Sequence, residues 1–474
     1  MQLTLVVNGL INGLIMSDDK FGCNPSQAVS RALPAQWGGH VEAADLGAPL
    51  GIVTKTSSPP SKPPELQAVY DTQTGEITPV EPASHNGFFV SKYKNSYDPN
   101  QGRSKRYALK SVVNDLMPGS RTSKCMRFRA PDPSTGFLRP VEILKSAEHG
   151  KVFYQGLMAC GSVWHCPVCA AKIAERRRIE LKEALDSAKE KGYKSHFVTL
   201  TFPHGISDDL NDILFKMRNA YRRLSSGKNA IKSLIKRVDE NNQIHGFIRA
   251  VEVTHGKNGF HPHIHMIVFT NDLITSSALE TFYKKAWKNA CINSGLPEPN
   301  QHGCTVKDGS YASDYVSKWG IEDEMTKANA KTTKRKGLTP WGLLQASLLG
   351  KDEEYPAEKA NALFLVYANA FSGQRQLYWS NGLRKLLHIS REESDETIVS
   401  KPDDVRSYLL AQVTFQQWKA VLLLKQESNL LGVAESNPLA IAPFLESITQ
   451  QASEYCGRRR DLGGGASKRE RLKT

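Results

Sequence analysis

The chain has 474 residues, room for two or three domains, with 40% apolar residues and a formal net charge of +14. Positive charge of that size points to a polyanionic partner, most often nucleic acid. Eight cysteines are too sparse and irregular for a secreted disulfide scaffold, and no apolar run reaches the roughly 18 residues of a membrane span.

In chain order, residues 1–104 are expected to be poorly ordered. The first sixteen residues are apolar but lack the basic start of a secretory signal, and Met16 is a second candidate start. Thr56–Pro64 reads as a polyproline-like linker. Residues 105–192 hold Cys125 and a tight cysteine cluster, followed by a basic helix from Ala170 to about Lys191 carrying Arg176, Arg177 and Arg178. His196–Phe202 is rich in β-branched and aromatic residues and reads as a buried strand ended by Pro203. Residues 209–237 read as helical and basic. Phe247–Thr254 reads as a second strand, joined by a five-residue loop, His255–Gly259, to a third at Phe260–Phe269, so the two should form an antiparallel hairpin.

Further on, 275–292 has the apolar spacing of an amphipathic helix, Cys304–Val306 reads as a short β segment, and Tyr311–Trp319 as a helix ended by Gly320. Lys331–Gly337 is basic and flexible in character. Helical segments are expected at 340–350, 357–371 and 403–426, then a disordered basic tail over 457–474. The segments divide the chain into 1–104, 105–192, 193–325, 326–456 and 457–474.

Three constellations carry chemistry. The first is on the third strand. Alternation at period two sends His261, His263 and His265 to one face. Glu252, on the preceding strand, lies within reach. Two imidazoles and a carboxylate with open positions suit Mg²⁺ or Mn²⁺ acting as a Lewis acid on phosphate. His261, at the strand entry, is expected to contact substrate or support the ligands. The second is Tyr311 and Tyr315, four apart on one helix face, with Lys318 three beyond Tyr315. A phenol needs a neighbouring positive charge or a bound phosphate to become a nucleophile at neutral pH. The third is Cys160, Cys166 and Cys169 around a C-P-x-C knuckle, with Cys125 as the fourth thiolate of a structural Zn²⁺ site and His165 as an alternative.

Together these features resemble the rolling-circle replication initiators of plasmids and phages, in the HUH endonuclease superfamily. The matching stretches are Phe197-Val198-Thr199-Leu200-Thr201, His263-Ile264-His265 with Met266-Ile267-Val268, Tyr311-x3-Tyr315-x2-Lys318, and the cysteine cluster with its basic helix. Leu377–Arg384 is similar to a C-terminal stretch of related initiators. The resemblance covers roughly residues 120–390. Asp314 departs from the lysine that many relatives carry, and Trp319 lies where the family varies.

The resemblance implies an α+β fold, an RRM-like or ferredoxin-like antiparallel sheet with packed helices, plus a zinc-knuckle element and a mostly helical C-terminal region. It implies a replication initiator that nicks one strand at a double-strand origin through a 5′-phosphotyrosine. Either tyrosine could attack first, with Tyr315 favoured because Lys318 is closer in sequence, and Tyr311 is otherwise a second nucleophile or a DNA-positioning residue. Partners would be single- and double-stranded origin DNA. A host helicase is expected because no Walker-type phosphate loop is present; a host polymerase and the bacterial cytoplasm complete the picture. A single-strand transposase and a non-catalytic, zinc-containing DNA-binding regulator are the rival readings. A relaxase would place its tyrosine ahead of the histidine motif, the reverse of the order here.

Overall fold

The computed structural model describes residues 68–70, 77–79, 99–228, 230–317, 337–401 and 406–467. A small hairpin pairs β1 (Ala68–Tyr70) with β2 (Ile77–Pro79). Helix α1 (Pro99–Leu116) crosses the expected boundary at residue 104. Then come β3 (Val141–Ser146), β4 (Val152–Gln155), α2 (Pro167–Glu190) and β5 (Lys194–Leu200). The span expected to be one helix, 209–237, is two: α3 (Leu210–Ser225) and α4 (Ile231–Val238). Ser226 is extended and Gly227 has φ +84, which an α-helix does not accept.

β6 (Ile244–Gly256) and β7 (Gly259–Thr270) form the expected antiparallel hairpin. Its connection is tighter than five residues. Gly256 pairs with Gly259, leaving Lys257 and Asn258 as the turn. Gly259 has φ +87, and a Cβ there would meet the Gly205 carbonyl and Ile206 at 3.0 Å. Next are α5 (Ser276–Ile292), β8 (Cys304–Asp308), α6 (Gly309–Ser317), α7 (Pro340–Leu349), α8 (Ala357–Phe371) and β9 (Leu377–Trp379). The chain closes with β10 (Ser407–Val413), α9 (Phe415–Leu423), α10 (Glu427–Ser436) and α11 (Ile441–Ser467).

The main sheet has the order β8-β5-β7-β6-β9, all antiparallel. Strand alternation gives it two different faces. Val198, Leu200, Val251, Val253, Ile264, Met266 and Val268 point into one core. That core receives α3, whose Leu210, Ile213, Leu214, Met217, Tyr221 and Leu224 recur at helical spacing, and α5. The opposite face buries Ile248, Ala250, Ile267 and Phe269 under the alanine side of α2 (Ala174, Leu181, Ala184, Ala188) and under Ala312 and Val316 of α6. The histidine end of β7 belongs to this second face and stays half-buried.

Trp287 anchors α5 to the sheet. It is fully buried, and its Nε1 donates to the Thr201 carbonyl at 2.8 Å. Trp287→Ala is expected to cost about 3–5 kcal/mol, read as a fall in Tm. An unchanged Tm would mean that α5 does not hold this end of β5.

A second sheet, β10-β3-β4, packs on α9, α10 and α11 in a separate core containing Val141, Ile143, Trp418, Leu430, Phe444 and Ile448. It joins the 105–192 segment to the C-terminal region. Arg103 of α1 adds a two-pronged pair with Glu435 at 2.9 and 2.6 Å. Two expectations are corrected here. The span 403–426 is not one helix, because Ser407–Val413 pairs with β3, and the helix starts only at Phe415 behind a Thr414–Gln417 capping box. The basic tail is helical as far as Ser467, because α11 continues through Gly457. The polyproline-like stretch 56–64 and the basic stretch 331–336 lie outside the described residues.

Candidate active site and metal centres

The β6–β7 register puts Glu252 directly opposite His263. Opposed strand residues have Cβ atoms about 5 Å apart, so their side chains meet. His265 follows one pleat along on the same face. Glu252 Oε2 lies 3.4 Å from His263 Nε2 and 3.5 Å from His265 Nε2. The ligand atoms of Glu252, His263 and His265 all lie within 4.8 Å of one another.

The other ring nitrogens are occupied. His263 Nδ1 lies 3.1 Å from the His261 carbonyl, and His265 Nδ1 lies 3.0 Å from Thr199 Oγ1. A carbonyl only accepts, so His263 carries a proton on Nδ1, and its Nε2, turned to Glu252, can donate to the carboxylate when protonated or serve a ligand when the ring is neutral. The donor set therefore fits a divalent cation. Burial works to raise the Glu252 pKa, but the two imidazoles beside it hold the carboxyl well below the usual range.

Tyr315 comes from α6, which Ala312 and Val316 seat in the second core. Asp308 supports the start of that helix by accepting from the Ser310 amide at 2.9 Å. The Tyr315 ring packs on Phe197 and His265, with centroids 4.7 and 5.1 Å away, and Phe197 stacks on His265 at 5.1 Å. The Tyr315 hydroxyl donates to Glu252 Oε1 at 2.5 Å. Glu252 thus turns one oxygen to the imidazoles and the other to the phenol.

Tyr311, one turn earlier, is 47% exposed, with Lys307 Nζ 4.1 Å from its ring centroid. Lys318, expected beside Tyr315, lies outside the described residues. His261 is not part of the ligand group. Its Nε2 pairs with Thr201 Oγ1 at 2.9 Å and its Nδ1 faces His204 Nδ1 at 3.2 Å. Burial pushes its pKa down to about 4.

The four cysteines converge as expected. Cys125, Cys160, Cys166 and Cys169 are all buried. Cys125–Cys169, Cys160–Cys169 and Cys166–Cys125 sulfur distances are 3.4, 3.7 and 3.7 Å. Tetrahedral zinc with Zn–S bonds of about 2.3 Å places its sulfurs about 3.8 Å apart, so the set fits. Backbone amides of Cys160, Ser162 and Cys169 point at the sulfurs of Cys125, Cys160 and Cys166. Cys166 is the N-cap of α2 and Pro167 its first residue. His165 is turned away, with Nε2 2.8 Å from the Ala368 carbonyl, and burial lowers its pKa to about 4.

Residues 151–419, more than half of the chain, match the Rep_1 family of replication proteins. The chain belongs to that family. The match bears out the resemblance to plasmid rolling-circle replication initiators. The chain is 27% identical to Protein rep of Streptomyces lividans over 357 residues, 61% of this chain and 77% of that one. It is 33% identical over 159 residues to a Streptomyces cyanogenus protein named neomycin resistance protein, covering 29% of this chain and 35% of that one. Protein rep of Staphylococcus aureus is 30% identical over 109 residues, 22% of this chain and 43% of its own length. No solved structure matches the chain.

In this Rep_1 protein the matched segment contains Tyr311, Tyr315, Glu252, His263, His265 and three of the four clustered cysteines, while Cys125 precedes it. Sequence reasoning missed three contributors beside these residues. Thr199 reaches His265, His204 reaches His261, and Lys307 covers Tyr311. Parity along β5 could have pointed to Thr199. His204 follows the strand in a loop, where no periodic signal exists.

Proposed function

We propose that the protein initiates rolling-circle replication by nicking one strand at a double-strand origin, with Tyr315 as nucleophile. The observation that carries this reading is the shared carboxylate. Glu252 accepts from the Tyr315 hydroxyl at 2.5 Å and faces both imidazoles at 3.4 and 3.5 Å.

Glu252, His263 and His265 would hold Mg²⁺ or Mn²⁺, which when bound supplies a Lewis acid for the scissile phosphate. Tyr315 Oη attacks the phosphorus in line, and its proton passes to Glu252. The P–O3′ bond breaks, the leaving oxygen takes a proton to become a 3′-hydroxyl that primes synthesis, and a 5′-phosphotyrosine remains. The phosphodiester bond energy is kept in that linkage, so rejoining needs no ATP. Tyr311, exposed beside Lys307, would position DNA or attack in a second round.

Further support comes from topology. From β5 to β8 the order is strand, helices, two strands, helix, strand, and the spatial order is β8-β5-β7-β6. That order supports the reading of an RRM-like or ferredoxin-like layer. The partners in this reading are origin DNA and a host helicase and polymerase, in the bacterial cytoplasm. Among the described residues no helix is long and apolar enough to cross a membrane. The family match favours replication over transposition, and a non-catalytic regulator needs neither the histidines nor Tyr315.

The test is incubation with an origin single strand and Mn²⁺, followed by a denaturing gel. A covalent protein–DNA band is expected. EDTA should remove that band and leave duplex-origin binding largely intact. Unchanged nicking in EDTA would overturn the cation assignment.

A further inference from the structure

β5 lies beside β7, and Thr199 sits directly opposite His265. Its Oγ1 is 3.0 Å from His265 Nδ1. The two histidines are therefore oriented by different means. His263 leans on the backbone carbonyl of His261, which cannot be lost by substitution. His265 leans on a side-chain hydroxyl.

We propose that Thr199 is a positioning residue for cation binding, its hydroxyl holding the orientation of His265 and offering an acceptor to the tautomer that binds. This rests on the reading of Glu252, His263 and His265 as a divalent-cation site. A neutral imidazole has two tautomers, and only the one with its proton on Nδ1 offers Nε2 to a cation. In that tautomer Oγ1 serves as the acceptor for the Nδ1 proton, and His265 Nε2 faces Glu252 Oε2 with a lone pair for the cation. Phe197, stacked on the ring at 5.1 Å, restricts tilt but offers Nδ1 no hydrogen-bond partner. Removing the hydroxyl leaves the Nδ1–H of the binding tautomer without its acceptor and the ring without its anchor, and both effects weaken the cation site.

Partners of this kind are worth 10–100-fold in metal affinity. The experiment uses the full chain and measures Mn²⁺ binding directly, by the electron-spin signal of free Mn²⁺ and by calorimetry. Thr199→Val keeps the shape and drops the hydroxyl, and its Kd for Mn²⁺ should rise about 10–100-fold. Thr199→Ser keeps the hydroxyl and should bind within a few-fold of wild type. Thr199→Ala is the second hydroxyl-free variant should Val impair folding, judged by Tm. In cleavage, the half-saturating Mn²⁺ concentration should rise by the same factor, with the rate at saturating Mn²⁺ largely restored.

Wild-type affinity in Thr199→Val would overturn the proposal. So would equal losses in the Ser and Val variants, which would point to packing. His265→Ala separates the two layers of the argument. If it weakens Mn²⁺ binding while Thr199→Val does not, only the role of Thr199 falls. If it binds as wild type, the cation-site reading falls and this proposal with it.

Discussion

Tyr315→Phe is expected to abolish covalent capture of origin single strand while leaving DNA binding and the fold in place. The substitution removes one oxygen. The ring contacts with Phe197 and His265 need only the ring, and Ala312 and Val316 still seat α6. The lost hydrogen bond to Glu252 costs about 1 kcal/mol, small against the stability of a domain. The chemical loss is of another order: removing a nucleophile costs on the order of 10⁶ in rate where it has been measured in a protease. Tyr311→Phe should retain the first cleavage, because Tyr311 stands one turn away with its ring against Lys307. Full-rate capture by Tyr315→Phe, or loss of capture in Tyr311→Phe alone, would transfer the nucleophile to Tyr311.

The chemistry-bearing groups were legible because each depends on local spacing. Period two aligned His261, His263 and His265, and the C-P-x-C knuckle brought its cysteines to the start of α2. The hairpin made Glu252 reachable from His263. What separated His261 from its neighbours was not local, since Thr201 and His204 engage it from β5 and the loop after it. Thr199 offered only its parity on β5, a weak signal because threonine is common in strands for its shape alone. β10 was misread for a related reason. Tyr408, Leu409, Leu410 and Val413 are compatible with a helix, and only pairing with β3, far away in sequence, makes them a strand. β9 likewise exists because β6 offers it an edge.

The cysteine site leads to the second large effect, Cys166→Ser. Structural zinc in small domains contributes about 10–16 kcal/mol of apparent binding free energy, comparable to the whole stability of a domain. Here the four cysteines are buried in the same main core as Leu109, Val113, Trp164 and Ile173, so their loss is not confined to a surface loop. Cys166 also caps α2. That helix covers the second face of the sheet and shares its core with Ala312 and Val316, the residues that hold α6 and Tyr315 in place. Loosening the start of α2 should therefore reach Tyr315. Cys166→Ser is expected to lose bound zinc, to lower Tm by far more than a single buried side chain would, and to reduce covalent capture although no group facing the phosphate has changed. Cys291→Ala is the control: Cys291 is fully buried in the same core but outside the sulfur cluster, so its loss should cost about 1 kcal/mol and leave both zinc and capture intact. If Cys166→Ser matches that control in Tm and capture, the four cysteines are ordinary core residues. If zinc and Tm are lost while capture per folded molecule persists, α2 does not couple the two sites, and the zinc element serves the fold alone.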